Sequence, residues 1–209
     1  QGLYTSDQVF YLDYSSMDDE ATFRDFADKL DADYRTRFSG RRIDVACHST
    51  GSLVVRAWLA MHEARSRRRG LNEPCPVDRL LCFAPANFGS DLARLGQSFL
   101  GKFRSTFFNS RSHREDFMES GAAVLQGLEP ASPFQWELSF ECDLHGDHTY
   151  FSDARPEDQR CYPFVFAAGE AYDGLQAKVI KQRALPGTDG TVRIAAIAAE
   201  IEADKQKCL

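Results

Sequence analysis

Three short apolar runs separated by two amphipathic helix patterns fill the first 84 residues, and this alternation constrains the fold more than any other feature of the sequence. Gln8-Val9-Phe10-Tyr11-Leu12-Asp13-Tyr14 reads as a buried strand rich in β-branched and aromatic residues. From Glu20 onward Phe23, Phe26, Ala27, Leu30, Tyr34 and Phe38 recur at spacings of three and four, which predicts a helix stopped by Gly40. A second strand is predicted at Arg42–Cys47. A second helix follows through Leu53, Val54, Ala57, Trp58, Met61 and Ala64 and ends in Ser66-Arg67-Arg68-Arg69-Gly70, where positive charge meets the negative end of the helix dipole. Val77–Ala84 supplies a third strand. Strands alternating with helices predict an α/β fold, with a mostly parallel sheet and helices on both faces.

From about Asn87 to Arg160 the rhythm is lost: a helix could start at Ser90, a clearer one spans Arg114–Leu128, and a stretch rich in Asp, His and Pro follows. Residues 87–160 therefore read as a cap or lid inserted into a single domain of 209 residues. Phe164–Gly169 resumes the buried-strand pattern, Pro186–Gly190 is a strong turn, and Val192–Ala199 is apolar and of ambiguous type.

Charge and cysteine usage narrow the function. Twenty-five Lys and Arg against 31 Asp and Glu leave a net charge of −6, the wrong sign for a domain that neutralises phosphate backbones, so nucleic acid is not expected as a partner. No stretch approaches the roughly 18 apolar residues of a membrane span. A soluble chain is expected, with the cytoplasm favoured over secretion or translocation. Six cysteines form no CxxC pair, which predicts free thiols rather than a disulfide scaffold or zinc site. Asp143-Leu144-His145-Gly146-Asp147-His148 carries metal-capable side chains without a third strong ligand in view, so a solvated loop is expected, with no metal and no cofactor.

The sharpest local feature is Cys47-His48-Ser49-Thr50-Gly51-Ser52, between a predicted buried strand and a well-formed helix. A serine at such a turn is raised from the sheet edge at the positive end of the helix, where the backbone N–H of Thr50 can meet an oxyanion on a bound acyl group. Taken alone, the turn fits equally a phosphate-binding or structural turn with a capping serine.

Several stretches in order resemble the lipase and esterase branch of the α/β-hydrolases. His48–Arg56 is similar to the nucleophile elbow and its helix, with Ser49 at the nucleophile position and Cys47 where glycine is usual. Ala84–Ser90 is similar to the Pro-x-x-x-Gly-Ser segment after the next strand, and Leu128–Phe134 with Glu137-Leu138 to a segment near the end of the cap. Gly187-Thr188-Asp189-Gly190-Thr191-Val192 is similar to the turn bearing the catalytic acid, which implies that role for Asp189, ahead of Asp44, Glu170 and Asp173. The resemblance covers residues 8–193. It implies a serine hydrolase of carboxylic esters, phospholipids among the substrate classes, with Ser49 as nucleophile, Asp189 as acid and the Thr50 N–H in the oxyanion hole. The alternatives are an acyltransferase using the same site and a catalytically silent binding or scaffold module.

The resemblance also implies a histidine after the acid, yet His48, His62, His113, His145 and His148 all precede Asp189. Few residues precede the Gln8 run to supply an oxyanion loop. The expectation is an incomplete stretch of a longer chain, with His145 or His148 as the base in a second reading. Phe99, Phe103, Phe107 and Phe108 interleave with Lys102 and Arg104, and Arg65 and Arg67–Arg69 cluster at a helix end. Core packing and a solvated terminus are the simpler expectations, peripheral contact with anionic lipid the alternative. Nothing in the sequence indicates an oligomeric state.

Overall fold

The computed structural model describes residues 4–5, 8–12, 20–38, 40–90, 121–142 and 149–166. Helix α1 (Phe23–Phe38) leads into strand β1 (Ile43–His48), helix α2 (Gly51–Arg68) and strand β2 (Val77–Phe83). Helices α3 (Ala122–Leu128) and α4 (Pro133–Cys142) follow, then a short 3-10 turn at Glu157–Gln159 and strand β3 (Tyr162–Phe166). The three strands lie in the order β1-β2-β3 and both pairings are parallel, as the alternation predicts.

The α1 boundaries follow from local chemistry. Thr22 Oγ1 accepts the Asp25 N–H at 3.3 Å while Asp25 Oδ2 accepts the Thr22 N–H at 2.7 Å, a reciprocal cap on the first turn. Those bonds from Thr22 hold the Asp25 carboxyl below its ordinary value. Gly40, at φ +76°, takes the left-handed turn that closes the helix. The predicted stripe is the buried one: Phe23, Phe26, Ala27 and Tyr34 join Leu53, Val54, Ala57 and Trp58 of α2 in the core, which reaches the sheet through Val77, Leu80 and Cys82. On the opposite sheet face Phe83, Phe164 and Phe166 are exposed, and the rings of Phe83 and Phe166 stack at 4.8 Å.

Asp31 joins α1 to α2 inside this core. It is 6% exposed and accepts the Trp58 indole N–H at 3.1 Å, while Arg65 approaches at 2.7 Å and Arg35 at 2.9 Å. Farther along α2, His62 Nδ1 meets the Tyr150 hydroxyl at 2.8 Å, and the Arg155–Glu63 ion pair at 2.8 Å ties the 149–160 segment to the same helix.

Two predicted elements differ from the structure. Residues 8–12 form no strand: Gln8 closes a tight turn by donating its N–H to Thr5 O at 3.0 Å, and Val9, Phe10 and Tyr11 are exposed. β-propensity needs a neighbouring ladder to satisfy the backbone. Among the described residues Phe10 instead sets its ring against Phe38 and beneath the Arg37 guanidinium. The helix predicted over Arg114–Leu128 is observed from Ala122; its earlier part, most of the helix predicted from Ser90 and the apolar run at 192–199 lie outside the described residues.

Two outcomes follow from this core. Asp31→Ala strips a buried indole N–H and two guanidinium groups of their acceptor, and a loss of about 3 kcal/mol is expected in urea unfolding. His62 is held below its ordinary value of 6.5 by burial, the largest cause, so the unfolded chain takes up its proton at higher pH than the folded one. The stability this histidine contributes is complete above 6.5 and falls as pH drops through that value toward the folded pKa. His62→Gln is expected to remove that part of the pH slope, read from urea midpoints on either side of pH 6.5.

Candidate active site

Ser49 leaves the end of β1 with φ +50°, in the left-handed region that non-glycine residues rarely adopt. Its N–H continues the strand ladder onto Phe83 O at 3.0 Å. Its carbonyl accepts three donors: the Ser52 hydroxyl at 2.9 Å, the Ala86 N–H at 3.1 Å and the Ser52 N–H at 3.3 Å. This turn raises a half-buried serine at the start of α2, as the sequence predicts for the strand-to-helix junction. Left-handed backbone at a non-glycine residue costs of order 1–3 kcal/mol and persists only where surrounding bonds over-determine it.

Thr50 is the N-cap of α2, with φ −63° and ψ −23° and no side-chain cap bond. Among the described residues no acceptor takes its N–H, and the first N–H groups of a helix have no partner within the helix. The turn therefore presents donors, at the positive end of the helix dipole, beside a serine hydroxyl.

Close approach of the two arms accounts for the residue types on either side of Ser49. A Cβ added to Gly51 would lie 3.3 Å from Cys47 Cβ. With a side chain at position 47, position 51 has to be small. Glycine at 51 compensates for cysteine at 47.

A second loop locks against the elbow. Ala84, at φ +42°, donates its N–H to Phe166 O at 2.8 Å, and Ala86 then bonds Ser49 O as described. Arg56, buried on α2 two turns from the elbow, donates from Nη1 to Asn87 O at 3.0 Å. Ser90 donates its N–H to Leu128 O at 2.9 Å. Gly89, at φ +89°, leaves no room for a side chain, since an added Cβ would fall 2.5 Å from that same carbonyl. Beyond it, Ser132 caps α4 by accepting the Gln135 N–H at 3.3 Å and donates to Gly127 O at 2.9 Å. Two stretches far apart in the chain, 84–90 and 128–134, are thus packed together, the first of them bonded to Ser49.

Other candidates fall elsewhere. His48 is exposed at the end of β1, and no bond joins its ring to Ser49 among the described residues. His62 sits far down α2, roughly 17 Å from the helix start. Asp44 lies early in β1 and pairs with Arg79 at 3.4 Å, away from the elbow. Asp189, Glu170, Asp173, His113, His145, His148 and the Phe99–Phe108 stretch lie outside the described residues. Among the described residues no three His, Cys, Asp or Glu side chains could hold a metal together, and no helix is long and apolar enough to cross a membrane. The described cysteines are free thiols. Ser52, Arg56 and Asn87 were not singled out from sequence as site residues. The three-then-four spacing of Ser49, Ser52 and Arg56 along one helix face was the available signal.

No family profile matches the chain, and no curated relative matches it by sequence. Among solved structures, phospholipase PlaB from Legionella pneumophila superposes with a TM-score of 0.64 at 29% identity, over 89% of this chain and 36% of that protein. The same phospholipase in complex with thio-NAD gives a TM-score of 0.62 at 27% identity, over 89% and 35%. The chain has an α/β-hydrolase fold of the lipase and esterase type. It spans about a third of the length of these phospholipases. The mature lipase BlEst2 of Bacillus licheniformis is a more distant match, with a TM-score of 0.49 at 17% identity over 90% of this chain.

The lock around the elbow predicts unequal costs. Ser52→Ala removes one of three donors to Ser49 O and is expected to cost about 1 kcal/mol in urea unfolding. Gly89→Ala sets a Cβ against a backbone carbonyl that cannot swing aside, and a loss of about 3 kcal/mol or more is expected in the same measurement.

Proposed function

We propose that this chain carries the nucleophile half of a serine hydrolase that cleaves carboxylic esters, with lipid esters, phospholipids included, as the substrate class. The observation that carries the reading is the left-handed Ser49 at the strand-to-helix turn, held by bonds from two neighbouring segments. Likeness to a phospholipase at 29% identity supports the choice of ester over other acyl substrates.

In this reading the Ser49 Oγ attacks the ester carbonyl carbon, and its proton passes to an imidazole. The carbonyl oxygen gains the negative charge, which the Thr50 N–H meets at the end of α2. Collapse of the tetrahedral adduct expels the alcohol, leaving an acyl group on Ser49 that water removes. An acyltransferase would pass it to an alcohol instead. Asp189 is the acid that orients the imidazole, on the strength of its Gly-Thr-Asp-Gly turn. The imidazole itself is unassigned; the second reading of the sequence takes it from His145 or His148, within the cap. Residues 87–160 serve as that cap in this proposal, and no cofactor takes part.

A serine hydroxyl reacts with a fluorophosphonate only when a base activates it. Intact mass is therefore expected to show one adduct on the folded protein and none on Ser49→Ala, whose ester turnover should fall at least about a thousandfold. A folded protein that takes no adduct at Ser49 has no activating base among these residues, the outcome both of a hydrolase whose imidazole lies outside them and of a module that binds lipid or ester without cleaving it.

A further inference from the structure

Cys47 and Cys82 occupy directly paired positions on β1 and β2, and their sulfurs lie 3.6 Å apart. Both are free thiols. Neighbouring strands run about 4.8 Å apart, and disulfides span Cα separations of about 4.4–6.8 Å, so a bond between these sulfurs needs only their closer approach, by about 1.5 Å. The two are not equivalent. Cys47 donates its S–H to Cys82 and is itself held well above the usual thiol value by that bond. The same bond, with the Arg56 guanidinium nearby, lowers Cys82. Cys47 is half-buried and is the side from which the pair is reached, whereas Cys82, Cys75 and Cys161 are 4%, 0% and 2% exposed.

Position gives the pair its consequence. Cys47 lies two residues before Ser49, and its Cβ faces Gly51 across the turn, where an added Cβ would fall 3.3 Å from it. Any shift of Cys47 toward β2 moves one arm of the elbow against the other, with Ser49 between them.

We propose that Cys47 and Cys82 form an oxidation site, at which hydrogen peroxide closes a cross-strand disulfide beneath Ser49 and switches the elbow off. The Cys47 sulfur, the reachable one, attacks one peroxide oxygen, the O–O bond breaks, and the departing hydroxide takes up the Cys47 proton to leave as water. The Cys82 sulfur then attacks the sulfenic sulfur of Cys47. Its S–O bond breaks, and the hydroxyl leaves with the Cys82 proton as a second water. Two thiols lose two electrons, and one peroxide is reduced to two waters. The formation of the disulfide is independent of the ester-hydrolase reading; its effect on turnover rests on that reading.

The experiment treats reduced protein with hydrogen peroxide and follows intact mass, peptide maps and turnover of a p-nitrophenyl ester. The expected result is loss of two hydrogen masses mapped to a Cys47–Cys82 peptide, with turnover falling about tenfold or more and returning with dithiothreitol. Cys82→Ala is expected to match the parent in basal turnover, form no crosslink and keep its rate in peroxide. Absence of the crosslink overturns the site, and a crosslink with unchanged turnover overturns the switch. Because the crosslink is read by mass, a reduced protein that crosslinks yet never turns over an ester counts against the hydrolase reading and in favour of the oxidation site.

Discussion

The backbone at Ser49 is the constraint around which the described structure is arranged. A left-handed serine is unfavourable in an isolated chain. It survives because its N–H is spent on β2 and its carbonyl gathers donors from α2 and from the loop after β2. Each of these partners exists only if the parallel register of β1 on β2 is correct and α2 starts one residue after Thr50. The register depends in turn on the α2 face that buries Leu53, Val54, Ala57 and Trp58 against α1, and on Asp31, which gives the Trp58 indole an acceptor inside that core.

The loop at 84–90 extends this dependence outward. Arg56 reaches it from α2, Ala86 bonds the elbow, and Gly89 and Ser90 seat it on the carbonyl end of α3. The strained serine, the sheet edge and the helices at 121–142 therefore form one mechanical unit. The half-buried N-terminal end of α2 is a place where this unit, among the described residues, offers unfilled donors. The Cys47–Cys82 pair lies directly under that unit, which is why a chemical change between two strands would be felt at the serine hydroxyl.

Much of the frame was legible in the sequence. The periodic runs at 23–38, 53–64 and 77–84 named α1, α2 and β2 to within a few residues, since helix and strand periods are local properties of the chain. The run at Gln8 misled because its aromatic and β-branched residues satisfy a local preference, whereas a strand also requires a neighbour for its backbone, and Phe10 finds Phe38 and Arg37 instead. At the site, Ser49 and Thr50 were legible from their place between strand and helix. Arg56 with Asn87, Gly89 with Leu128 and Cys47 with Cys82 were not, because each contact joins residues at least 31 apart in sequence through strand register or loop packing.

By itself, the sequence determined that strands and helices alternate, that Ser49 stands between one of each, and that small residues must flank it. These follow from periodicity and steric size, which act over a few residues. Only the tertiary structure decided that the turn is left-handed, that three donors converge on one carbonyl, and that two thiols on separate strands face each other. Those depend on register and packing between distant segments, where a shift of one residue would exchange every inward side chain for an outward one.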